Sequence, residues 1–474
     1  MTSLLALAVA VAMQAWSPAP APAMTLTHPD GGSGYYARFS QPLPSDSSHF
    51  PIGVWFESVL SPEDVSMDRD AGLNLYVVLT RNSNLSVVQS GGMQALLQQD
   101  EWGNAPAAQA NPATAGWVLG DEIDMQSAPA QGYAVLNQAR AALPGDGRLR
   151  FANYGKGVTF WLSDPEAARY VNGFQDVLSA DNYWFTDENI CSGGEGGKLL
   201  AGGADLSPGA CHRAANYGAT VRRVRELLNP AGSKPVWAVV ELGHPFSESN
   251  WPTITPPEVR AAVWQSLIAG ARGIVYFNHS FGGSAETQHI LRDGADPRSP
   301  YAPIRSVVTA TDHEIQSLAP VLNSPTVSSG WSHSPGTTAM VKWDASGTGS
   351  KAKKKCKSKK HRKKCKRHKK KHKRAAEAKH KKKKCKPKKH RKKCRKKKAH
   401  RAPGRLYVFA GSAGGPVQGR FSVPCVGDAR AAVVGENRTV PVRGGSFEDH
   451  FADGNAIHIY RIDAGSKCGL RPAS

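Results

Sequence analysis

A chain of 474 residues with 40% apolar side chains can hold one large domain and a smaller one, and its 47 glycines suit a loop-rich α/β chain better than a fibre or an unfolded one. The formal charge of +23 suggests a nucleic-acid binder, yet 32 of the 61 basic residues lie between 351 and 400, against the single acid Glu377. Everything else has 29 basic and 37 acidic residues, a net of −8, which argues against nucleic-acid recognition by the globular part.

Leu4 to Met13 is an apolar core of signal-peptide length, and Ala21-Pro22-Ala23 offers small residues for cleavage, so residues 1–23 are expected to be a signal peptide and the protein secreted or associated with the cell envelope. No apolar run is long enough to span a membrane. Residues 24–50, rich in Gly, Ser, Pro and Asp, are expected to be an irregular lead-in.

Strands alternate with helices from there to residue 325. The apolar runs are Ile52–Phe56, Leu75–Thr80, Met93–Gln98, Gly116–Glu122, Leu149–Tyr154, Asp176–Trp184, Pro235–Glu241 and Gly273–Asn278. Ser61-Pro62-Glu63-Asp64 and Thr255-Pro256-Pro257-Glu258 read as helix starts, and Tyr133–Leu143 and Arg213–Leu228 as helices. Eight such repeats predict a (β/α)8 barrel over 51–325. A doubly wound sheet is the structural alternative, but no Gly-rich phosphate-binding turn follows any strand, and no cofactor is expected.

Beyond residue 326 the alternation changes to period two. Thr337–Trp343, Arg405–Ala410, Gln418–Val423, Ala431–Val434 and Ile457–Ile462 predict a small antiparallel β-sandwich over 326–348 and 404–468. Residues 349–403 interrupt it. Within them KKKCKSKKHRKKC (353–365) returns as KKKCKPKKHRKKC (382–394), and a segment so charged and so poor in apolar residues is expected to be disordered. It reads either as a solvated spacer or as a patch that holds anionic surface polymer by charge. Cys356, His361 and Cys365 fit no standard zinc spacing, and no metal is expected. In an exported chain Cys191 with Cys211, and Cys425 with Cys468, are the disulfide candidates.

Two strands end in carboxylates where a parallel barrel does its chemistry: GWVLGDE ends in Asp121 and Glu122, and VVEL in Glu241. They terminate the fourth and seventh strands. In this the chain resembles the clan of retaining (β/α)8 glycoside hydrolases, over roughly residues 51 to 325, with an accessory β-domain after the barrel common there. The resemblance implies an oligo- or polysaccharide substrate, Glu122 as general acid/base and Glu241 as nucleophile. It also implies substrate contacts for Asp121, where the clan usually has Asn, and for Tyr183, where it often has an aromatic hydroxyl near the nucleophile. Arg81, Asn153, Asp181, Asn278 and His279 stand at strand ends facing the same mouth and are candidate contacts. Trp184, with Trp55, Trp102, Trp161 and Trp251, is a candidate stacking platform for sugar rings. The alternative from another class is a non-catalytic carbohydrate-binding or envelope-associated barrel tethered by its basic insert.

Overall fold

The computed structural model describes residues 24–345 apart from 33, 248–251 and 284, and residues 404–472 apart from 465–467, 469 and 470. The expected signal peptide, the basic insert and Trp251 lie outside the described residues. Eight parallel strands close a barrel: β1 (Ile52–Trp55), β2 (Leu75–Val77), β3 (Gln94–Gln98), β4 (Thr114–Asp121), β5 (Leu149–Tyr154), β6 (Val177–Ala180), β7 (Val236–Glu241) and β8 (Ile274–Phe277), with β8 pairing back onto β1. Each overlaps a run expected to be a strand, and most are shorter than the run.

Two-residue alternation divides the strand side chains between two apolar layers. Trp55, Val77, Phe151, Trp237, Val239 and Val275 fill the barrel interior, while Val54, Tyr76, Leu97, Trp117, Ala238 and Tyr276 face the helices. Because the parity carries on past the apolar layer, Asn153 and Glu241 follow the interior positions at the C-terminal mouth. Capping boxes open the helices Pro62–Asp70, through Ser61 and Asp64, and Pro256–Ile268, through Thr255 and Glu258. Both starts were legible in the sequence.

The lead-in is more ordered than its composition suggests. Tyr35–Arg38 forms a 3-10 turn whose tyrosines plug the N-terminal end of the barrel: Tyr35 donates to the Asp176 carbonyl at 2.7 Å, and Trp237 Nε1 donates to the Tyr36 hydroxyl at 3.0 Å. Thr25–Thr27 is a strand, but it belongs to the other sheet system.

That system is a sandwich. An eight-stranded sheet runs in the order Arg438–Val442, Ala429–Val433, Ile457–Asp463, Arg405–Ser412, Thr337–Asp344, Thr326–Val327, Thr25–Thr27 and Arg471–Pro472. One face, with Leu406, Val408 and Tyr460, meets Phe421, Phe447 and Phe451 of the three-stranded sheet Ser332–His333, Val417–Ser422 and Ser446–Phe451. The other face, with Met340, Tyr407 and Phe409, shares a core with the barrel helices, where Trp264 stacks on Phe409 at 5.8 Å. The strand Arg438–Val442 escaped the sequence pattern because Pro441 interrupts it; at the sheet edge a proline costs no ladder hydrogen bond. Asp344 and Arg405 pair directly at the end of the ladder between Thr337–Asp344 and Arg405–Ser412.

Candidate active site

The chain after β4 is built to present a carboxyl. The β4–β5 register shifts between Val118 and Asp121, and Glu122 takes a left-handed conformation (φ 49°) ahead of the short helix Ile123–Gln126. A non-glycine residue there carries strain of about 1–3 kcal/mol, held in place by its surroundings. The Glu122 carboxyl lies against Gly155, where a Cβ would collide with Met125 Sδ and come within 2.8 Å of Glu122 Oε1, so a larger residue there would displace both side chains. Asp124 fixes the facing β5 loop by accepting from Gly155 N at 3.1 Å and Val158 N at 2.7 Å.

Around Glu122 the acids gather. Asp121 accepts from Asn153 Nδ2 at 3.0 Å, and Ser179 Oγ donates to Asn153 Oδ1 at 2.6 Å, orienting the amide. Asp181, just past β6, lies close enough to Glu122 to feel its charge and accepts from the Tyr183 hydroxyl at 3.1 Å; its Oδ1 is buried without a protein donor. Burial, together with the charges of Asp121 and Asp124, pushes Glu122 up to about 7. Burial and the neighbouring Glu122 and Asp121 hold Asp181 well above the ordinary carboxylate range. Burial, with the charge of Asp121, brings Asp124 to about 6 despite its amide donors.

Glu241 ends β7 fully buried. Tyr217 donates a short hydrogen bond to Oε2, and Phe185 N and Thr186 Oγ1 approach Oε1 at 3.4 and 3.5 Å. Burial pushes this carboxyl up to about 7, against the Tyr217 hydroxyl, which favours the anion. The loop supplying Phe185 and Thr186 is anchored twice. Lys156 bridges Asp187 at 2.6 Å and Glu195 at 2.8 Å, and a disulfide joins Cys191 to Cys211. Cys425 and Cys468 form the second disulfide, as expected from their neighbourhoods. Among the described residues, the one group of His, Cys, Asp and Glu side chains clustered as metal ligands are is Cys191, Cys211 and His212, and its sulfurs are bonded to each other.

The other sequence candidates divide. Asn153 reaches the carboxyl group, as does Tyr183, but Tyr183 serves Asp181, and the hydroxyl on Glu241 comes from Tyr217. Asn278 is spent on structure: its amide donates to buried Glu57 at 2.8 Å and accepts from Leu291 N at 2.9 Å. His279 hydrogen-bonds the Phe56 carbonyl at 3.2 Å, and burial pushes its imidazole below the ordinary histidine range. Arg81 is exposed and stacks over Trp102 at 4.5 Å. Trp184 has 0% exposure and donates to Thr220 Oγ1 at 3.0 Å, so it offers no face to a ligand. Trp55 and Trp102 are buried too, and Trp161 is exposed. The exposed rings at the mouth are instead Phe56 and Phe281, each 44% exposed, on either side of His279 at 5.8 and 5.7 Å.

Tyr217, Phe185, Thr186 and the pairing of Asp181 with Glu122 were not legible in the sequence. Tyr217 lies in the first turn of the helix Ala215–Glu226, 24 residues before its partner, in a stretch marked only by helical periodicity.

No family model matches the chain, and no curated protein matches it. Solved structures do, at low identity. A glycoside hydrolase family 5 protein from Bacteroides vulgatus is similar over 89% of this chain and 91% of its own, with 12% identity and a TM-score of 0.43. An alpha-amylase from Geobacillus thermoleovorans covers 88% and 98% at 8% identity and a TM-score of 0.43. A truncated 3-deoxy-D-arabino-heptulosonate 7-phosphate synthase from Thermotoga maritima covers 57% and 88% at 12% identity and a TM-score of 0.31.

Proposed function

We propose that this chain is a glycoside hydrolase acting by retaining double displacement, with Glu122 as acid/base and Glu241 as nucleophile. The observation that carries the reading is a carboxyl at the end of β4 and another at the end of β7, each pushed to about 7, in the mouth of a closed (β/α)8 barrel. Protonated Glu122 gives its proton to the glycosidic oxygen while the Glu241 carboxylate attacks the anomeric carbon and the C–O bond to the leaving group breaks. Ionised Glu122 then takes a proton from water, whose oxygen displaces Glu241. Exposed Phe56 and Phe281 provide apolar faces for sugar rings at the rim.

One observation favours a second reading of the pair. Asp181 is buried close enough to Glu122 for the glutamate's charge to raise it, and its Oδ1 has no protein donor, so the working partners become Glu122 and Asp181. Hydrolysis of a panel of aryl glycosides and soluble polysaccharides by the wild type, Glu122→Ala, Glu241→Ala and Asp181→Asn decides between them. General acid–base and nucleophilic roles are each worth about 100-fold or more. Loss in Glu122→Ala and Glu241→Ala, with Asp181→Asn within a few fold of wild type, supports the first pair. Loss in Asp181→Asn with Glu241→Ala still active selects the second, and activity surviving all three changes defeats the assignment.

Export to an oxidising compartment is part of the proposal, supported by the apolar stretch Leu4–Met13 and by two formed disulfides. So is tethering of the enzyme to anionic surface polymer through residues 351–400, whose 32 basic residues predict retention that falls steeply with salt.

A further inference from the structure

At the opposite end of the barrel from the carboxyls, a cavity of about 670 Å3 lies between the N-terminal face of the barrel and the eight-stranded sheet. It is within the size range of ligand sites. Three cations line it: Arg225 at the end of the helix Ala215–Glu226, Arg272 just before β8, and Lys342 on the strand Thr337–Asp344. Asp30 is the one carboxylate in the lining, and Arg225 already holds it with two hydrogen bonds, at 2.5 Å from Nε and 3.0 Å from Nη2.

The other two cations have only neutral partners. Lys342 is 3% exposed, and its ammonium donates to the Ser324 carbonyl at 3.1 Å and Thr326 Oγ1 at 2.9 Å, two acceptors for three protons. Arg272 donates to the Leu322 carbonyl at 3.0 Å and Asn323 Oδ1 at 2.8 Å, while its Nε is buried without any partner. A buried charge is normally paired, and an unused N–H in the interior costs about 1–3 kcal/mol. Burial, with Arg272 and Arg225 nearby, pushes the Lys342 amine well below the ordinary lysine range, as befits a cation without a counter-ion.

We propose that this cavity is a binding site for a small phosphate-bearing anion, held between Lys342 and Arg272. A phosphate dianion supplies the counter-charge that Arg272 and a protonated Lys342 lack, accepts from both the ammonium and the guanidinium, and leaves room in the cavity for an organic portion. Thr27 and Ser328 also line the wall, their hydroxyls donating to the Thr326 and Thr25 carbonyls at 3.4 and 3.3 Å. The inference is independent of the hydrolase reading, since none of these residues belongs to the carboxyl group at the mouth.

The test is calorimetric titration of the full chain with inorganic phosphate, and separately with a sugar phosphate, in 150 mM sodium chloride, which is about physiological ionic strength. Wild type is compared with Lys342→Met, which keeps the length of the side chain and removes its charge, and with Ser328→Asp, which places an anion on the wall without touching a buried group. Residues 351–400 are common to all three proteins, so phosphate bound there is a shared background. A saturable component in the wild type, weakened about tenfold or more in both variants, is the expected result. Tighter binding of the sugar phosphate than of inorganic phosphate identifies an organic ligand, and equal binding identifies free phosphate. If Lys342→Met fails to fold, Ser328→Asp alone decides. Phosphate binding equal in the wild type and the folded variants overturns the site.

Discussion

At the scale of single residues, the candidate site depends on hydrogen bonds that set which carboxyl carries a proton. The Tyr217 hydroxyl lowers Glu241 against the effect of burial, so Tyr217→Phe raises Glu241, the proposed nucleophile, above its value of about 7. A nucleophile must be ionised. The acidic limb of the kcat/KM profile is therefore expected to move to higher pH, with activity at pH 6 falling more than activity at pH 8. Asp121 acts with the opposite sign on the other limb. Its charge helps to hold Glu122 protonated, so Asp121→Asn lowers Glu122 below about 7, and the alkaline limb is expected to move to lower pH. A pH–rate profile of each variant on an aryl glycoside checks both shifts. If neither limb moves, these two glutamates are not the titrating groups.

At the scale of elements, the loop between β6 and the helix Ala215–Glu226 is the unit that completes the site. It brings Phe185 and Thr186 onto Glu241, and its far end leads into the turn that carries Tyr217. Lys156 and the Cys191–Cys211 disulfide hold it. Opening a loop of this length costs about 3 kcal/mol of stability, so Cys191→Ser with Cys211→Ser is expected to lower the denaturant midpoint by a corresponding amount. Activity is expected to fall as well, because the donors on Glu241 lose their anchor; Cys425→Ser with Cys468→Ser, in the sandwich, is expected to lower stability with activity retained. The strands of the barrel needed no such long-range information. Each was legible as a short apolar run, because a strand buried on both faces tolerates little else. The loop was not: its Gly, Asp and Asn residues mark it as irregular but do not specify which backbone amide meets which carboxylate.

For the whole molecule, barrel and sandwich share one apolar core, and Gln265 is the polar joint within it. Its amide donates to the Ser412 carbonyl at 2.7 Å and accepts from Thr338 Oγ1 at 2.7 Å, both from the eight-stranded sheet. Gln265→Ala takes the amide donor from the buried Ser412 carbonyl and leaves Thr338 Oγ1 with the Gly411 carbonyl at 3.4 Å, and is expected to cost about 1–3 kcal/mol. Scanning calorimetry is expected to show a single transition shifted downward, because the two parts unfold together; a split into two transitions argues against a shared core.

The linear sequence by itself determined what repeats locally. It marked eight barrel strands, helix starts where Ser61 and Thr255 carry their own capping partners, carboxylates at the ends of β4 and β7, and the confinement of the positive charge to one segment. Those features rest on periodicity and on contacts within three or four residues. Only the tertiary structure decided that Asp181 accompanies Glu122, that Tyr217 rather than Tyr183 serves Glu241, that Trp184 is core, and that Thr25–Thr27 joins a sheet whose neighbouring strand begins at Thr326. Each of these is a meeting of groups that closure of the barrel and docking of the sheet bring together. Residue type indicates what such a group can bind, and the path of the chain through space determines what it reaches.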